Sequence, residues 1–198
     1  MLQKNAVPAA TLGLLKQIST LKEFDEFGLG GGTNLALRLG HRISVDLDFF
    51  TNHPFDTSQL FQVITKYFSS AELLFEKNQT MMFTIEDTKV DFVLYPFPWL
   101  QPFDFVEGIR LISLYDLIPM KLQAASNRNA KKDYWDIATL LKRFKLAEML
   151  QIFKKKFPNI DTGYIIHSLI DFEKADEDLD PVALTNIKWA KIKRTINS

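Results

Sequence analysis

The 198-residue sequence predicts an α+β protein, in which a mixed sheet with helices is followed by a helical lobe. Three observations support this class. Short helical and strand-like patterns alternate in the first half, whereas the chain from about Leu114 onward repeats helical patterns. Between them, residues 96–105 are too rich in proline for regular structure and form a candidate hinge. We therefore predict an α/β lobe over residues 1–110 and a helical lobe over residues 111–198.

Composition excludes several classes of protein. The chain has no cysteine and three histidines without metal-ligand spacing, which argues against disulfides, thiolate chemistry and a local zinc site. No apolar run approaches the ~18 residues of a membrane span, and a reducing, cytoplasmic location is expected. Residues 1–98 hold 8 Lys and Arg against 11 Asp and Glu, and residues 99–198 hold 16 against 13. This split permits a phosphate-rich partner in the second half.

A glycine turn opens the second helix of the predicted fold, after an amphipathic first helix. Gly30, Gly31 and Gly32 precede TNLALRLG, whose leucines recur on one face, and Gly40 is a candidate C-cap. Backbone N–H groups at a helix N-terminus bind phosphate, and glycine allows close approach. Gly31, Gly32 and Thr33, with its hydroxyl, are therefore candidate contacts for a nucleoside triphosphate.

The next segment, ISVDLDFF, alternates apolar and polar residues as a strand with one buried face does. Asp46 and Asp48 then share the polar face, with Cα atoms roughly 6 to 7 Å apart. A helix over residues 57–68 and strands over 71–76, 80–86 and 88–95 follow, and Asp91 points away from the more apolar face of the last strand. Three converging carboxylates repel one another unless one is protonated or a hard cation such as Mg²⁺ or Mn²⁺ lies among them. Of these two alternatives, we predict that a divalent metal ion lies among the three carboxylates.

The second half carries two predicted helices, Tyr115 to about Asn127 and Lys131 to Phe144, joined by a polar stretch. The acidic run at residues 171–180 is expected to be a surface loop, and a lysine-rich last helix is expected from about Pro181.

Two groups of residues, in order along the chain, resemble a known family. Gly31-Gly32-Thr33, twelve residues and Asp46-Leu47-Asp48 resemble the polymerase-β-type nucleotidyltransferase superfamily. More narrowly, GGTNLALRLGHRISVDLDFF is similar to the AbiEii-type nucleotidyltransferase toxins of bacterial type IV toxin–antitoxin systems. A second signature of that family is matched downstream by Met120-Lys121, Ala124, Arg128, Lys132-Asp133 and Asp136. The resemblance covers about residues 28–141 and implies the polymerase-β-type fold for the first lobe.

The resemblance implies a role for each matched residue. Lys121 would hold nucleotide phosphates as a mobile point charge. Asp136, with Asp133 as an alternative, would complete the catalytic set by orienting Lys121 or the acceptor. Arg42 and Ser44 match the family's Arg-x-Ser, and Arg128 and Lys132 would contact phosphates or RNA. The candidate catalytic residues are Asp46, Asp48, Asp91, Lys121 and Asp136, of which Asp46, Asp48 and Asp91 are the candidate metal ligands and Asp91 is also a candidate base.

The function implied is transfer of a nucleoside monophosphate from an NTP to an acceptor with release of pyrophosphate. By resemblance, the acceptor is a tRNA 3′ end, and a cognate antitoxin protein is the partner. Two alternatives stay open: transfer to a small hydroxylated molecule, and a nucleotide-binding interaction module without turnover. Arg42 can also be a plain ion-pair partner of a nearby carboxylate.

Overall fold

A mixed seven-stranded sheet is built from strands that lie between residues 28 and 111 in a computed structural model of the protein, which describes residues 1–197. Its strands are β1 (Gly28–Leu29), β2 (Leu47–Thr51), β3 (Glu72–Lys77), β4 (Thr80–Ile85), β5 (Thr88–Leu94), β6 (Asp104–Val106) and β7 (Ile109–Leu111). Their spatial order in the sheet is β3-β4-β5-β2-β1-β7-β6. The predicted α+β class is confirmed, with its mixed sheet and a helical second half.

The helices flank the sheet in the first half and dominate the second half. They are α1 (Ala9–Thr20), α2 (Gly31–Leu39), α3 (Thr57–Tyr67), α4 (Leu114–Arg128), α5 (Lys131–Leu140), α6 (Leu146–Lys156), α7 (Thr162–Leu169), α8 (Glu173–Glu177) and α9 (Trp189–Ile196). Within residues 1–197, no helix is both long and apolar enough to cross a membrane.

The pairing of β2 with β5 sets the position of two acidic side chains. These strands are parallel neighbours, and Asp48 lies directly opposite Asp91 in the register. Because successive side chains of a strand point to opposite faces, Phe49 and Phe92 lie together on the other face. The two phenylalanine rings stack there at 5.3 Å, so the apolar partners of the acidic residues anchor the strand pair in the core.

Two hydrophobic clusters divide the buried side chains. One contains the apolar face of the sheet together with α1 and α3, including Leu14, Ile64 and Phe92. The other is built mainly from α4, α5, α6, α7 and α9 and includes Leu35 of α2. Helix α2 therefore contributes to both clusters, with Leu37 in the first and Leu35 in the second, and the lobe boundary near residue 110 stays a prediction.

The strand that carries the first aspartate pair is shorter than predicted. It begins at Leu47, so Asp46 precedes it, and Val45, expected on the apolar face, is 50% exposed. The backbone N–H groups of residues 43 and 44 instead donate to the carbonyls of Val182 and Ala6. These tertiary bonds replace the sheet ladder, and they explain why alternation alone placed the strand start too early.

The C-terminal segment also differs from its prediction. The acidic run contains the short helix α8, and the last helix begins at Trp189, eight residues after Pro181. The chain between them runs antiparallel to residues 41–43, with an isolated bridge between Arg42 and Ala183. This pairing explains why residues 181–188 do not extend the helix.

Candidate active site

A pocket of about 340 Å³ lies between the polar face of β2 and β5, the glycine turn and helix α4. Ten of the twelve residues predicted for the site line it: Gly31, Gly32, Arg42, Ser44, Asp46, Asp48, Asp91, Lys121, Arg128 and Lys132. Thr33 and Asp136 lie behind its wall. Phe50, Met82, Lys89, Leu117, Met120 and Ala124 complete the lining.

The glycine turn packs directly against the first acidic strand. Gly31 has a φ of +61°, which disfavours side chains, and a Cβ built on it would lie 1.9 Å from Oδ2 of Asp48. The N–H of Gly30 donates to the carbonyl of Asp48 at 2.8 Å. Glycine is therefore required at position 31, because the start of α2 and the Asp48 carboxylate occupy adjoining space.

Asp48 and Asp91 lie side by side on the acidic side of the pocket, which Asp46 also lines. Burial, followed by the charge of Asp91, raises the pKa of Asp48 above its ordinary value. Asp91 is 6% exposed, and its Oδ1 is buried without a hydrogen-bond partner within residues 1–197. Its Oδ2 accepts a hydrogen bond from Nζ of Lys89 at 2.7 Å. A neighbouring cation therefore suits this pair, since it would offset the like-charge repulsion.

Thr33 serves the interior of the site rather than its surface. Its hydroxyl is fully buried and contacts Oγ of Ser44 at 2.9 Å and the carbonyl of Asp46. These bonds hold the segment that precedes β2 against the start of α2. The structure thus places the Thr33 hydroxyl, a predicted phosphate contact, in internal hydrogen bonds, and Thr33 as a whole is buried.

Helices α4 and α5 form a cationic side of the pocket around Asp136. Nζ of Lys121 lies 2.7 Å from Oδ2 of Asp136, and Arg42 donates to both oxygens at 2.7 and 2.9 Å. The ring of His41 contacts Oδ1 at 2.7 Å. Burial alone would raise the pKa of Asp136, but Lys121 and Arg42 outweigh it and hold that pKa well below its ordinary value.

Asp133 organises a second pair on the same side. Arg128 donates to both of its oxygens at 2.6 and 2.8 Å, and Lys121 reaches Oδ1 at 3.4 Å. Bidentate bonds of this kind fix the guanidinium plane. Lys132 differs from these cations, since it is exposed and has no ion-pair partner among the described residues. Lys121 thus contacts both candidate acids, and the shorter contact is with Asp136.

Lys89 is a charged residue of the pocket lining that we did not predict from the sequence. It lies two residues before Asp91 on β5, so both side chains leave the same face of the strand. That spacing is visible in the sequence. What alternation could not provide was the 2.7 Å contact, because it depends on the side-chain conformation.

The carboxylates of the pocket fit a divalent cation whose other ligands are supplied by a bound substrate. Within residues 1–197, no three His, Asp or Glu side chains form a group able to hold a metal, so the three-carboxylate cluster expected from the sequence is not assembled. The reason is local, since Asp46 precedes β2 while Asp48 and Asp91 face each other. Mg²⁺ commonly uses one or two carboxylates together with substrate phosphates. The unpartnered Oδ1 of Asp91 is consistent with that arrangement.

Comparison with known families identifies the class of protein as a nucleotidyltransferase. The family model described as nucleotidyl transferase AbiEii toxin, type IV TA system, matches residues 13–198. The chain therefore belongs to the AbiEii nucleotidyltransferase toxin family. A protein of Aquifex aeolicus (strain VF5), aq_aa25, is 34% identical over 171 residues, which cover 83% of this chain and 82% of the relative.

Solved structures support the fold. JHP933 from Helicobacter pylori matches with a TM-score of 0.61 and 16% identity, covering 96% of this chain and 90% of its own. MenT4, the nucleotidyltransferase toxin Rv2826c from Mycobacterium tuberculosis H37Rv, matches with a TM-score of 0.59 and 15% identity, covering 95% and 82%. The predicted family and the predicted enzyme class are both confirmed.

Proposed function

We propose that this protein transfers a nucleoside monophosphate from an NTP to the 3′ end of a tRNA, and that it is the toxin of a type IV pair restrained by a cognate antitoxin. The observation that carries the proposal is the division of one pocket into two charged sides. Asp46, Asp48 and Asp91 lie on one side, and Lys121, Arg128 and Lys132 lie on the other. An NTP with its counter-cation needs both kinds of surface.

The cationic side is suited to phosphate. The N–H groups of Gly31 and Gly32 belong to the first turn of α2, where helix N–H groups bind phosphate. Ion pairs with Asp136 and Asp133 hold the Lys121 side chain in place. A lysine positioned in this way contributes a fixed charge to phosphate binding without reorganisation. Arg42 binds Asp136 in two places, so it acts as a positioning residue that keeps Asp136 beside Lys121.

The acidic side is suited to Mg²⁺ or Mn²⁺, held by Asp48 and Asp91 with Asp46 at the pocket edge. When bound, such a cation supplies charge neutralisation for the phosphates and lowers the pKa of an oxygen that attacks them. In the proposal, Asp91 also accepts the proton of the acceptor hydroxyl, because its Oδ1 has no other partner among the described residues. Gly31 keeps the triphosphate close to Asp48 by leaving no Cβ between them.

The proposal is tested by incubating the purified protein with total tRNA, Mg²⁺ and each of the four labelled NTPs in turn. We expect label in RNA with at least one NTP, and none after periodate oxidation of the tRNA 3′ end. Asp48→Asn is the matched inactive variant. Pyrophosphate release that needs a small hydroxylated compound instead of tRNA would replace the proposed acceptor, and NTP binding without any transfer would refute the transfer reaction.

The toxin role has a separate test in cells. Induced expression of the wild-type chain should arrest growth, whereas Asp48→Asn at the same protein level should not. Arrest that persists with Asp48→Asn would show that binding, rather than transfer, is responsible.

A further inference from the structure

Lys89 is the single basic side chain on the acidic side of the pocket among the residues that line it. Its Nζ lies 2.7 Å from Oδ2 of Asp91, and both residues belong to β5. The side chain of Lys89 is 43% exposed, whereas that of Asp91 is 9% exposed. The lysine can therefore turn toward solvent without disturbing the strand, while the carboxylate cannot.

The other cations of the pocket are fixed in a different way. Lys121, Arg42 and Arg128 are bound by buried carboxylates of α5 that belong to the opposite side. Lys89 instead pairs with a carboxylate that we propose as a metal ligand. Its ammonium thus lies where positive charge is needed when Asp48 and Asp91 face each other.

The Lys89 contact satisfies Asp91 incompletely. One oxygen of Asp91 binds the lysine, and the other is buried without a partner. A lysine that served stability alone would be expected on a fully satisfied carboxylate, because an unpaired buried oxygen costs free energy. The half-satisfied arrangement is better suited to a cation that is later exchanged for another.

We propose that Lys89 is a built-in counter-cation, which neutralises Asp91 in the metal-free protein and is displaced when a divalent cation binds. The inference rests on the proposed metal-binding function of Asp48 and Asp91. Because the ammonium and the divalent cation compete for the negative charge of the same carboxylate, Lys89 sets the cation concentration at which the site fills. It also keeps the two carboxylates together before the substrate arrives.

Direct binding of Mn²⁺, measured from the free-ion EPR signal, tests the competition without any turnover. Lys89→Met removes the charge and keeps most of the side-chain length, so it should bind Mn²⁺ about fivefold more tightly or better. Lys89→Arg keeps the charge and should stay within about twofold of the wild type. Lys77→Met removes an exposed lysine from β3, outside the pocket lining, and controls for net charge.

Thermal unfolding with and without Mn²⁺ separates this role from an ordinary ion pair. The Lys89→Met variant should melt below the wild type without metal, because Asp91 then loses its ion-pair partner. The difference in melting temperature between the variant and the wild type should disappear at saturating Mn²⁺. A structural ion pair would instead lower the melting temperature by the same amount in both conditions.

The outcomes distinguish this inference from the function it rests on. Unchanged or weaker Mn²⁺ binding by Lys89→Met, with wild-type binding that Asp48→Asn removes, would overturn the role of Lys89 and leave the metal site standing. Absence of Mn²⁺ binding by the wild type, even with a non-hydrolysable NTP, would refute both. If Lys77→Met bound Mn²⁺ more tightly to the same extent as Lys89→Met, the effect would come from net charge alone, and the inference would be overturned.

Discussion

Lys121 and Asp136 form a buried ion pair, in which Nζ of the lysine lies 2.7 Å from Oδ2 of the aspartate. The side chain of Lys121 is 6% exposed and that of Asp136 is 0% exposed. The same carboxylate binds Arg42 and His41. Asp136 of α5 is therefore contacted by three basic side chains. Lys121 comes from α4, and His41 and Arg42 come from the loop that follows α2. Asp136 never reaches the pocket surface, so its effect on phosphate binding passes through Lys121.

Replacement of Asp136 by asparagine should destabilise the protein and impair transfer. It leaves Lys121 and Arg42 buried without their counter-charge, and breaking a buried pair in this way costs about 3–5 kcal/mol. Urea unfolding at pH 7 measures the loss. Asp176→Asn, which removes an exposed partner of Lys193, should change stability little. A near-neutral result for Asp136→Asn would mean that the cations find water or another acid.

The pH dependence of this stabilisation follows from the lowered pKa of Asp136. A carboxyl whose pKa is lower in the folded state stabilises the fold above its unfolded pKa, near ~4, and loses that contribution as the pH falls toward the folded pKa. The difference in unfolding free energy between wild type and Asp136→Asn should therefore be constant above about pH 5 and shrink below about pH 4. Unfolding curves from pH 7 to pH 3 test this, and a difference that grows in acid would contradict it.

The sequence predicted those parts of the fold that depend on local pattern. The meander from β3 to β5 followed from alternation and short polar turns, in which Asn78, Gln79, Glu86 and Asp87 take positive φ. The start of β2 did not follow, because the N–H of Ser44 bonds to Ala6, a tertiary contact. The family resemblance implied that Arg42 and Asp136 belong to one site, but their bond spans 94 positions and only the folded chain reveals it.

Asp48→Asn should strongly reduce transfer while making the protein more stable. Burial and the charge of Asp91 raise the pKa of Asp48, so the ionised carboxyl destabilises the fold at neutral pH. We expect transfer to fall roughly 10²-fold or more and the unfolding free energy to rise by about 0.5–2 kcal/mol at pH 7. The gain should decrease as the pH falls through the raised pKa and vanish below ~4, where both states are protonated. A loss of stability at pH 7 would mean that Asp48 is neutralised by Lys121 or Lys89.

Gly31→Ala should displace Asp48 and lower transfer. The added Cβ would lie 1.9 Å from Oδ2 of Asp48 at a φ of +61°, so both the strand residue and the turn must shift. Gly13→Ala is the matched control, since it lies inside α1 and a Cβ there would meet no atom of residues 1–197 within 4 Å apart from its chain neighbours and the nearby helix backbone. That control should raise stability by roughly 0.5–1 kcal/mol with transfer unchanged. Steady-state kinetics and thermal unfolding of both variants decide the point, and an active Gly31→Ala would place the triphosphate elsewhere.

Lys132→Ala should weaken substrate binding without affecting the fold. Lys132 lines the pocket, is exposed and has no ion-pair partner within residues 1–197, so its removal leaves nothing unpaired. We expect an unchanged melting temperature, an unchanged kcat and a KM for NTP or tRNA raised about 3–10-fold. If the contact is with RNA phosphate, the slope of log KM against log salt should fall by about one for tRNA and not for NTP. Lys142→Ala, an exposed lysine outside the pocket lining, should alter neither constant. A lower kcat with KM intact would instead assign Lys132 to the transition state, since uniform binding changes KM alone.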